Sequence, residues 1–195
     1  MSATEYTPQT IVTHRPLILW LILIVGAILV LSAIVGAPLA LASDHPAVAL
    51  TIYRGFSKVC HQIPERSFFI AGHPLAVCAR CTGLYAGFTA TLLVYPLVGS
   101  LKRTIAPARK WLLLATLPLA IDFSLTFFGI WENTHSSRLL TGALLGSVAV
   151  FYVMPGVSDL ALRGLRNKAA APRSSLTPAV ISTAPSDYSS PHRRI

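Results

Sequence analysis

The sequence predicts an all-α polytopic membrane protein, a four-transmembrane-helix bundle with an outer amphipathic helix. The first indication is composition: 53% of the 195 residues are hydrophobic and 12% are charged, whereas soluble domains carry about 25% charged residues. The second is a set of four apolar runs, each near the length of about 20 residues that a membrane-crossing helix needs. These predicted spans are residues 17–42, 75–99, 111–130 and 139–157.

The first span contains no charged residue. It ends in Ala-Leu-Ala before Ser43, which resembles a signal-peptidase site. The apolar core of a signal peptide is about 7–15 residues long, and this run is much longer. We therefore expect a retained membrane anchor, preceded by a short cytoplasmic segment at residues 1–16.

Basic residues indicate the orientation of the four spans. The loop between the second and third spans carries four basic residues and no acid, and more basic residues follow the fourth span. Because cytoplasmic loops are enriched in Lys and Arg, we expect both termini in the cytoplasm. The net charge of +9 then indicates a lipid bilayer as partner and no nucleic acid. Residues 158–195 are expected to form a basic, largely disordered cytoplasmic tail.

The segment at residues 46–61 has the pattern of an amphipathic helix on the outer membrane surface. Pro46 suits the first turn of a helix, and Pro64 disfavours helical geometry at Ile63, so the helix should end near Gln62. The apolar positions recur at helical spacing and are Ala49, Ile52, Tyr53, Phe56 and Cys60. This helix would direct Cys60 toward the membrane.

The three cysteines of the chain lie close together in the sequence. Cys78 and Cys81 fall in the first turn of the predicted second span, where the helix terminus and Arg80 favour the thiolate form. Three cysteines and one histidine are an accepted tetrahedral set for zinc. We therefore predict a site for zinc or another transition metal, with one histidine as fourth ligand. The candidate histidines are His61, His73 and His135.

Two other interpretations of the cysteines remain open. The Cys-x-x-Cys pair could cycle between dithiol and disulfide, as in membrane thiol-disulfide oxidoreductases that reduce a quinone. A single structural disulfide could instead join the amphipathic helix to the second span, since the outer compartment is oxidising. The chain would then be a non-enzymatic membrane subunit or a small-solute carrier. Beyond the bilayer, the candidate partners are a quinone, another membrane protein and further copies of this chain in a homo-oligomer. Nucleotide-binding, serine-triad and metalloprotease motifs are absent from the sequence.

Charged residues within or beside the spans are a further signal, because such residues are usually paired or functional. Asp122 lies in the third span, and we expect it between Arg80 and Arg138 at the outer ends of the second and fourth spans. A structural ion pair is one interpretation. The other is a catalytic or ligand-anchoring site, for which the candidate residues are Asp122, Glu132, Arg80 and Arg138.

The second and fourth spans begin alike. Each has an Arg followed by Thr-Gly-x-x-x-Gly, with glycines at 83 and 87 and at 142 and 146. Small residues four apart permit close helix contact in membranes. We therefore expect these two spans to pack together, related by an approximate two-fold axis.

Two motifs resemble the signature of a family of small bacterial inner-membrane proteins that is known only as a domain of unknown function. The matching residues are Cys60, His61, Gln62, Pro64, Arg66, Ser67 and Phe68, followed by Cys78, Arg80, Cys81, Gly83, Tyr85 and Gly87. Asp122 and Arg138 also fit, and the resemblance covers roughly residues 56–146. It implies a multi-pass protein of a bacterial cytoplasmic membrane. It implies no activity, substrate or cofactor.

Overall fold

The computed structural model describes residues 14–170 of the chain, and four of its helices are long and apolar enough to cross a membrane. The helices are α1 (Arg15–Ala42), α2 (Pro46–Phe56), α3 (Ala79–Val98), α4 (Arg109–Phe127) and α5 (His135–Ala170). The candidate spans are α1, α3, α4 and α5 as far as Leu160. The predicted fold class is therefore confirmed.

The helices α3 and α5 form the centre of the bundle. Their backbones touch at four glycines, where an added Cβ atom would meet a carbonyl oxygen of the other helix. For Gly83 and Gly142 that Cβ would lie 2.0 Å from the Leu139 oxygen and 2.1 Å from the Arg80 oxygen. The predicted contact between the two spans is thus confirmed.

The contact between α3 and α5 is reciprocal. Each glycine faces the carbonyl three residues before its counterpart, so that Gly83 faces Leu139 while Gly142 faces Arg80. The second pair repeats this one turn later, with Gly87 facing Ala143 and Gly146 facing Leu84. Such exchange is what an approximate two-fold axis parallel to two parallel helices produces. Both helices therefore begin at the same end of the bundle, which we call the cysteine end.

The other two spans flank this pair. α1 packs against both α3 and α5, and α4 packs mainly on α5. Near the opposite end of the bundle, a buried cluster joins α1, α3 and α5. Its members are Ile24, Leu92, Tyr95, Val150 and Met154. The outward faces of α1 and α4 carry exposed apolar residues, as lipid-facing surfaces do.

The segment between α2 and α3 departs from the all-α prediction. A 3₁₀ turn at Pro64–Arg66 precedes a small antiparallel hairpin of β1 (Phe69–Ile70) and β2 (His73–Pro74). Its two turn residues, Ala71 and Gly72, have φ values of +50° and +79°. Positive φ at both central positions is typical of the two-residue turns that suit the twist of a hairpin.

Two helix boundaries beside the cysteines differ from those predicted. α2 ends at Phe56 and not near 61, because residues 57–59 turn and Gln62 adopts a φ of +53°. α3 begins at Ala79 and not at 75, because the backbone groups of the preceding residues bond elsewhere. Leu75 N–H donates to the carbonyl of Phe68, for example.

The last span, α5, continues to Ala170, so residues 158–170 are helical where a disordered tail was expected. Two contacts support the continuation. The Ser158 hydroxyl donates to the Leu101 carbonyl at 2.7 Å, and Arg163 forms an ion pair with Asp159 one turn earlier. The predictions for residues 1–13 and 171–195 lie outside the described residues.

Candidate functional site

Three thiols converge at the cysteine end. The sulfur atoms of Cys60, Cys78 and Cys81 all lie within 4.8 Å of one another, and no disulfide joins them. Cys60 is buried, and the other two are half-buried. Because Cys60 follows α2 while Cys78 and Cys81 open α3, the cluster depends on how the intervening segment folds.

A proline in the first span helps to position that segment. Pro38 lies inside α1 and has no N–H, so the carbonyl of Ile34, four residues earlier, lacks its usual helical partner. The N–H of Ala76 donates to this carbonyl at 3.4 Å. The residues just before Cys78 are thereby joined to the first span.

Gln62 connects α2 to the segment that precedes α3. Its side-chain amide donates to the Tyr53 carbonyl of α2 at 2.8 Å and to the Ala76 carbonyl at 2.7 Å. The Tyr53 hydroxyl donates in turn to the carbonyl of Pro74. These bonds hold Cys60 against the start of α3, where the N–H of Cys78 donates to the Cys60 sulfur at 3.2 Å.

The environment of Cys78 favours its thiolate. Cys78 is the residue before the first turn of α3 and lies just outside the span. Hydrogen bonds from the thiols of Cys60 and Cys81, followed by those from the backbone N–H groups of Cys81 and Arg80, hold the pKa of Cys78 well below its ordinary value. A thiolate is the form that binds metals and attacks disulfides.

A cavity of about 540 Å³ opens beside the thiols. Its wall includes all three cysteines and three arginines, Arg66, Arg80 and Arg138. Phe123 and Phe127 of α4 supply an apolar part of the wall. The cysteines therefore face a space that can admit a small molecule, and that space is strongly basic.

Asp122 is buried and forms an ion pair with Arg80, which joins α4 to α3. Its backbone carbonyl accepts a hydrogen bond from the side chain of Asn133 in the loop before α5. Asp122 was predicted to lie between Arg80 and Arg138, and the structure pairs it with Arg80. Arg138 forms no ion pair with any described residue, although it interacts electrostatically with Asp122.

The three candidate histidines do not join the thiol cluster. Among the described residues, the cluster contains the three cysteines alone. His61 is exposed and lines the cavity, His73 lies in β2, and the ring of His135 packs 5.5 Å from that of Phe68. Glu132, a candidate catalytic residue, is exposed in the loop before α5.

Sequence reasoning did not assign roles to Gln62 and Arg66. Both stand in the Cys-His-Gln-x-Pro-x-Arg motif. Gln62 proves to be a bridge between backbone carbonyls, and Arg66 lines the cavity. The signal that could have identified Gln62 is the neighbouring Pro64, because a chain that leaves a helix before a proline exposes carbonyls in need of donors.

Comparison with known proteins identifies related chains. Residues 60–152 match the family model described as "Predicted membrane protein (DUF2085)". An uncharacterized protein of Methanocaldococcus jannaschii is 38% identical over 108 residues, which cover 55% of this chain and 69% of the relative. An uncharacterized protein of Methanothermobacter thermautotrophicus is 37% identical over 91 residues, which cover 47% and 80%.

No solved structure matches this chain. Both relatives are archaeal, so they give no support to the bacterial origin that the motif resemblance implied. The part of the chain that matches the family model begins at Cys60 and includes all three cysteines and all three arginines of the cavity.

Proposed function

Because the chain belongs to this family of predicted membrane proteins, we propose that it works in a membrane as a binder of a transition metal ion, with zinc the best fit. Cys60, Cys78 and Cys81 would be the ligands. The observation that carries the proposal is the mutual distance of their sulfur atoms, all within 4.8 Å. Thiolate sulfur binds zinc at about 2.3 Å in a tetrahedral arrangement, so sulfurs around one ion lie about 3.8 Å apart, which is within this limit.

The chemistry of the site supports the same conclusion. Soft thiolates select zinc and similar thiophilic ions, and the hydrogen bonds to Cys78 favour the deprotonated form that binding requires. Three protein ligands leave a fourth position, which in zinc sites with a chemical role is taken by water or substrate. Here that position would open into the cavity, and His61 is the candidate histidine that lines its wall.

We also propose that the cysteine end faces the outside of the cell and that both termini are cytoplasmic. The loop between α3 and α4 at the opposite end carries Lys102, Arg103, Arg109 and Lys110, and cytoplasmic loops are enriched in such residues. Alkaline phosphatase, which is active only outside the cytoplasm, can be fused into this loop or into the loop before α5. Activity from the loop before α5 alone would support this orientation, and the reverse result would overturn it.

The test of the metal proposal is the metal content of protein purified in mild detergent without chelator, measured by inductively coupled plasma mass spectrometry. About one zinc per chain is expected, and Cys81→Ser should lose most of it. Thr82→Ser is the matched control, because it changes the same helical turn and keeps the hydroxyl that bonds to the Cys78 carbonyl.

Loss of zinc in His61→Ala would identify the fourth ligand, and zinc retained in all three variants with histidine replaced would leave the fourth position to an exogenous ligand. Folded wild-type protein that stays metal-free after growth in zinc-supplemented medium would overturn the proposal.

A second candidate function is thiol-disulfide exchange, favoured by the lowered pKa of Cys78 beside two other thiols. Oxidation would join two of the sulfurs and release two protons and two electrons, which a bilayer quinone could accept to become a quinol. Mixing the reduced protein with a quinone analogue should then form quinol and one disulfide per chain. A disulfide that forms once and resists exchange would indicate a structural role instead.

A further inference from the structure

The cavity beside the cysteines contains more positive charge than its own residues neutralise. Of its three arginines, Arg80 is paired with Asp122. The guanidinium groups of Arg138 and Arg66 have no hydrogen bond or ion pair within residues 14–170. Arg138 interacts electrostatically with both other arginines, so three like charges share one wall.

Arg80 also has donor capacity to spare. Its Nη2 atom donates to the Asp122 carboxylate, whereas its Nε atom is fully buried and has no hydrogen-bond partner. Leaving a buried charged donor unpaired is costly. Because this atom has no exposed surface, Arg80 adds its charge to the cavity but not this donor.

The net charge of the cavity wall is positive with or without a bound metal. Three arginines and Asp122 sum to +2 when the thiols are protonated. Three thiolates around a divalent ion contribute −1, which leaves +1. His61, the remaining ionisable group of the wall, can only add positive charge. The wall of the cavity therefore keeps a net positive formal charge in either state.

We propose that this cavity binds an oxyanion group, a phosphate, sulfate or carboxylate, held by Arg138 and Arg66 beside the charge of Arg80. Arginine is well suited to this task because its planar fork matches paired oxygens. The inference does not rest on the metal, although a bound oxyanion would lie beside the fourth position of a metal held by the cysteines.

Because part of the wall is apolar, two kinds of molecule could supply the oxyanion. Val59, Phe123 and Phe127 are each more than half exposed and line the cavity mouth with the arginines. The oxyanion is therefore a free ion or soluble molecule that enters from outside, or the head group of a lipid whose chains lie against these side chains. Recognition by the arginines is common to both.

The experiment is isothermal titration calorimetry of inorganic phosphate into protein in an uncharged detergent and a buffer without oxyanions. Arg138→Gln should weaken binding about ten-fold or more, because it removes a charge-assisted contact. Arg163→Gln is the matched control: it removes the same charge from the same helix at the opposite end, where the arginine is paired with Asp159. We expect it to leave affinity within about two-fold of the wild type.

A parallel arm examines the lipid source. Protein purified from membranes that contain phosphatidylglycerol is analysed for bound lipid by native mass spectrometry. Retention of this lipid by the wild type and by Arg163→Gln, but not by Arg138→Gln, identifies a head group as the oxyanion even where free phosphate binds weakly.

The oxyanion site and the metal site are tested by separate measurements. Wild-type protein that binds neither phosphate nor the lipid overturns the oxyanion site, whatever its metal content. Equal weakening by both arginine variants overturns it as well, because it would mean general surface charge. Phosphate binding that persists in metal-free Cys81→Ser supports the site while leaving the metal question to its own test.

Discussion

The two helices at the centre of the bundle share their packing and differ in their chemistry. With Gly83 aligned on Gly142, the threonines before them match, and each donates its hydroxyl to the carbonyl four residues earlier, at 3.1 Å in α3 and 2.9 Å in α5. The positions of Cys78 and Cys81 in α3 are occupied by Ser137 and Leu140 in α5.

The repeated contact and the reactive residues are therefore separate properties of this bundle. The glycines bring two backbones together symmetrically, whereas the thiols lie at the start of α3 and have no counterparts in α5. Changes at the glycines should mainly lower the stability of the fold, whereas changes at the cysteines and arginines should mainly weaken ligand binding. Three substitutions test this distinction, and we expect them to lower the free energy of unfolding by successively smaller amounts.

The largest effect is expected for Gly83→Ala. A methyl group there would lie 2.0 Å from the Leu139 carbonyl oxygen, so the helices must move apart, at a cost of about 3 kcal/mol. The free energy of unfolding can be measured by titration with a denaturing detergent in mixed micelles. Gly36→Ala in α1 is the control, because its added Cβ meets nothing within 4 Å. Equal stability of the two variants would show that the glycine contact is not essential.

An intermediate effect is expected for Asp122→Asn. This change leaves Arg80 without its carboxylate partner, and breaking a buried ion pair costs several kcal/mol. Because 24% of the Arg80 side chain is exposed, solvent reduces the cost to about 2 kcal/mol. The same detergent titration measures it, and Ser124→Ala on the same helix serves as control. A variant as stable as the wild type would mean that a bound anion or water, and not Asp122, balances Arg80.

The smallest effect is expected for Arg163→Gln at the opposite end of α5. Its ion pair with Asp159 is of the i, i+4 type, and 64% of the arginine side chain is exposed, so the loss should be about 0.5 kcal/mol or less. Thermal unfolding followed by tryptophan fluorescence is sufficient to test this. A loss as large as that of Asp122→Asn would contradict the contrast between the two ends of the bundle.

The large features of the fold were accessible from the sequence because they depend on local composition and regular spacing. Four apolar runs predict four spans, and two Gly-x-x-x-Gly motifs after an arginine predict the central contact, including its two-fold character. The meeting of Cys60 with Cys78 and Cys81 was also foreseeable, because an amphipathic helix and a helix start bound the same short segment.

The finer features depend on contacts between residues far apart in the sequence. The start of α3 is set by hydrogen bonds from Leu75 and Ala76 to other elements, which a hydropathy pattern does not contain. Sequence spacing places His61 beside Cys60, but consecutive residues of an irregular chain point in different directions, and His61 lies on the cavity wall outside the thiol cluster. The bridge made by Gln62 required knowledge of which carbonyls α2 and the hairpin leave unpaired.

The carbonyl released by Pro38 has a consequence for biosynthesis. α1 precedes the residues that match the family model, yet the Ile34 oxygen receives the N–H of Ala76, two residues before Cys78. A chain grows from its N-terminus, so this acceptor is synthesised before the cysteines. The first span then offers a hydrogen-bond acceptor to which the later segment binds, and a chain cleaved after Ala42 would lose that contact.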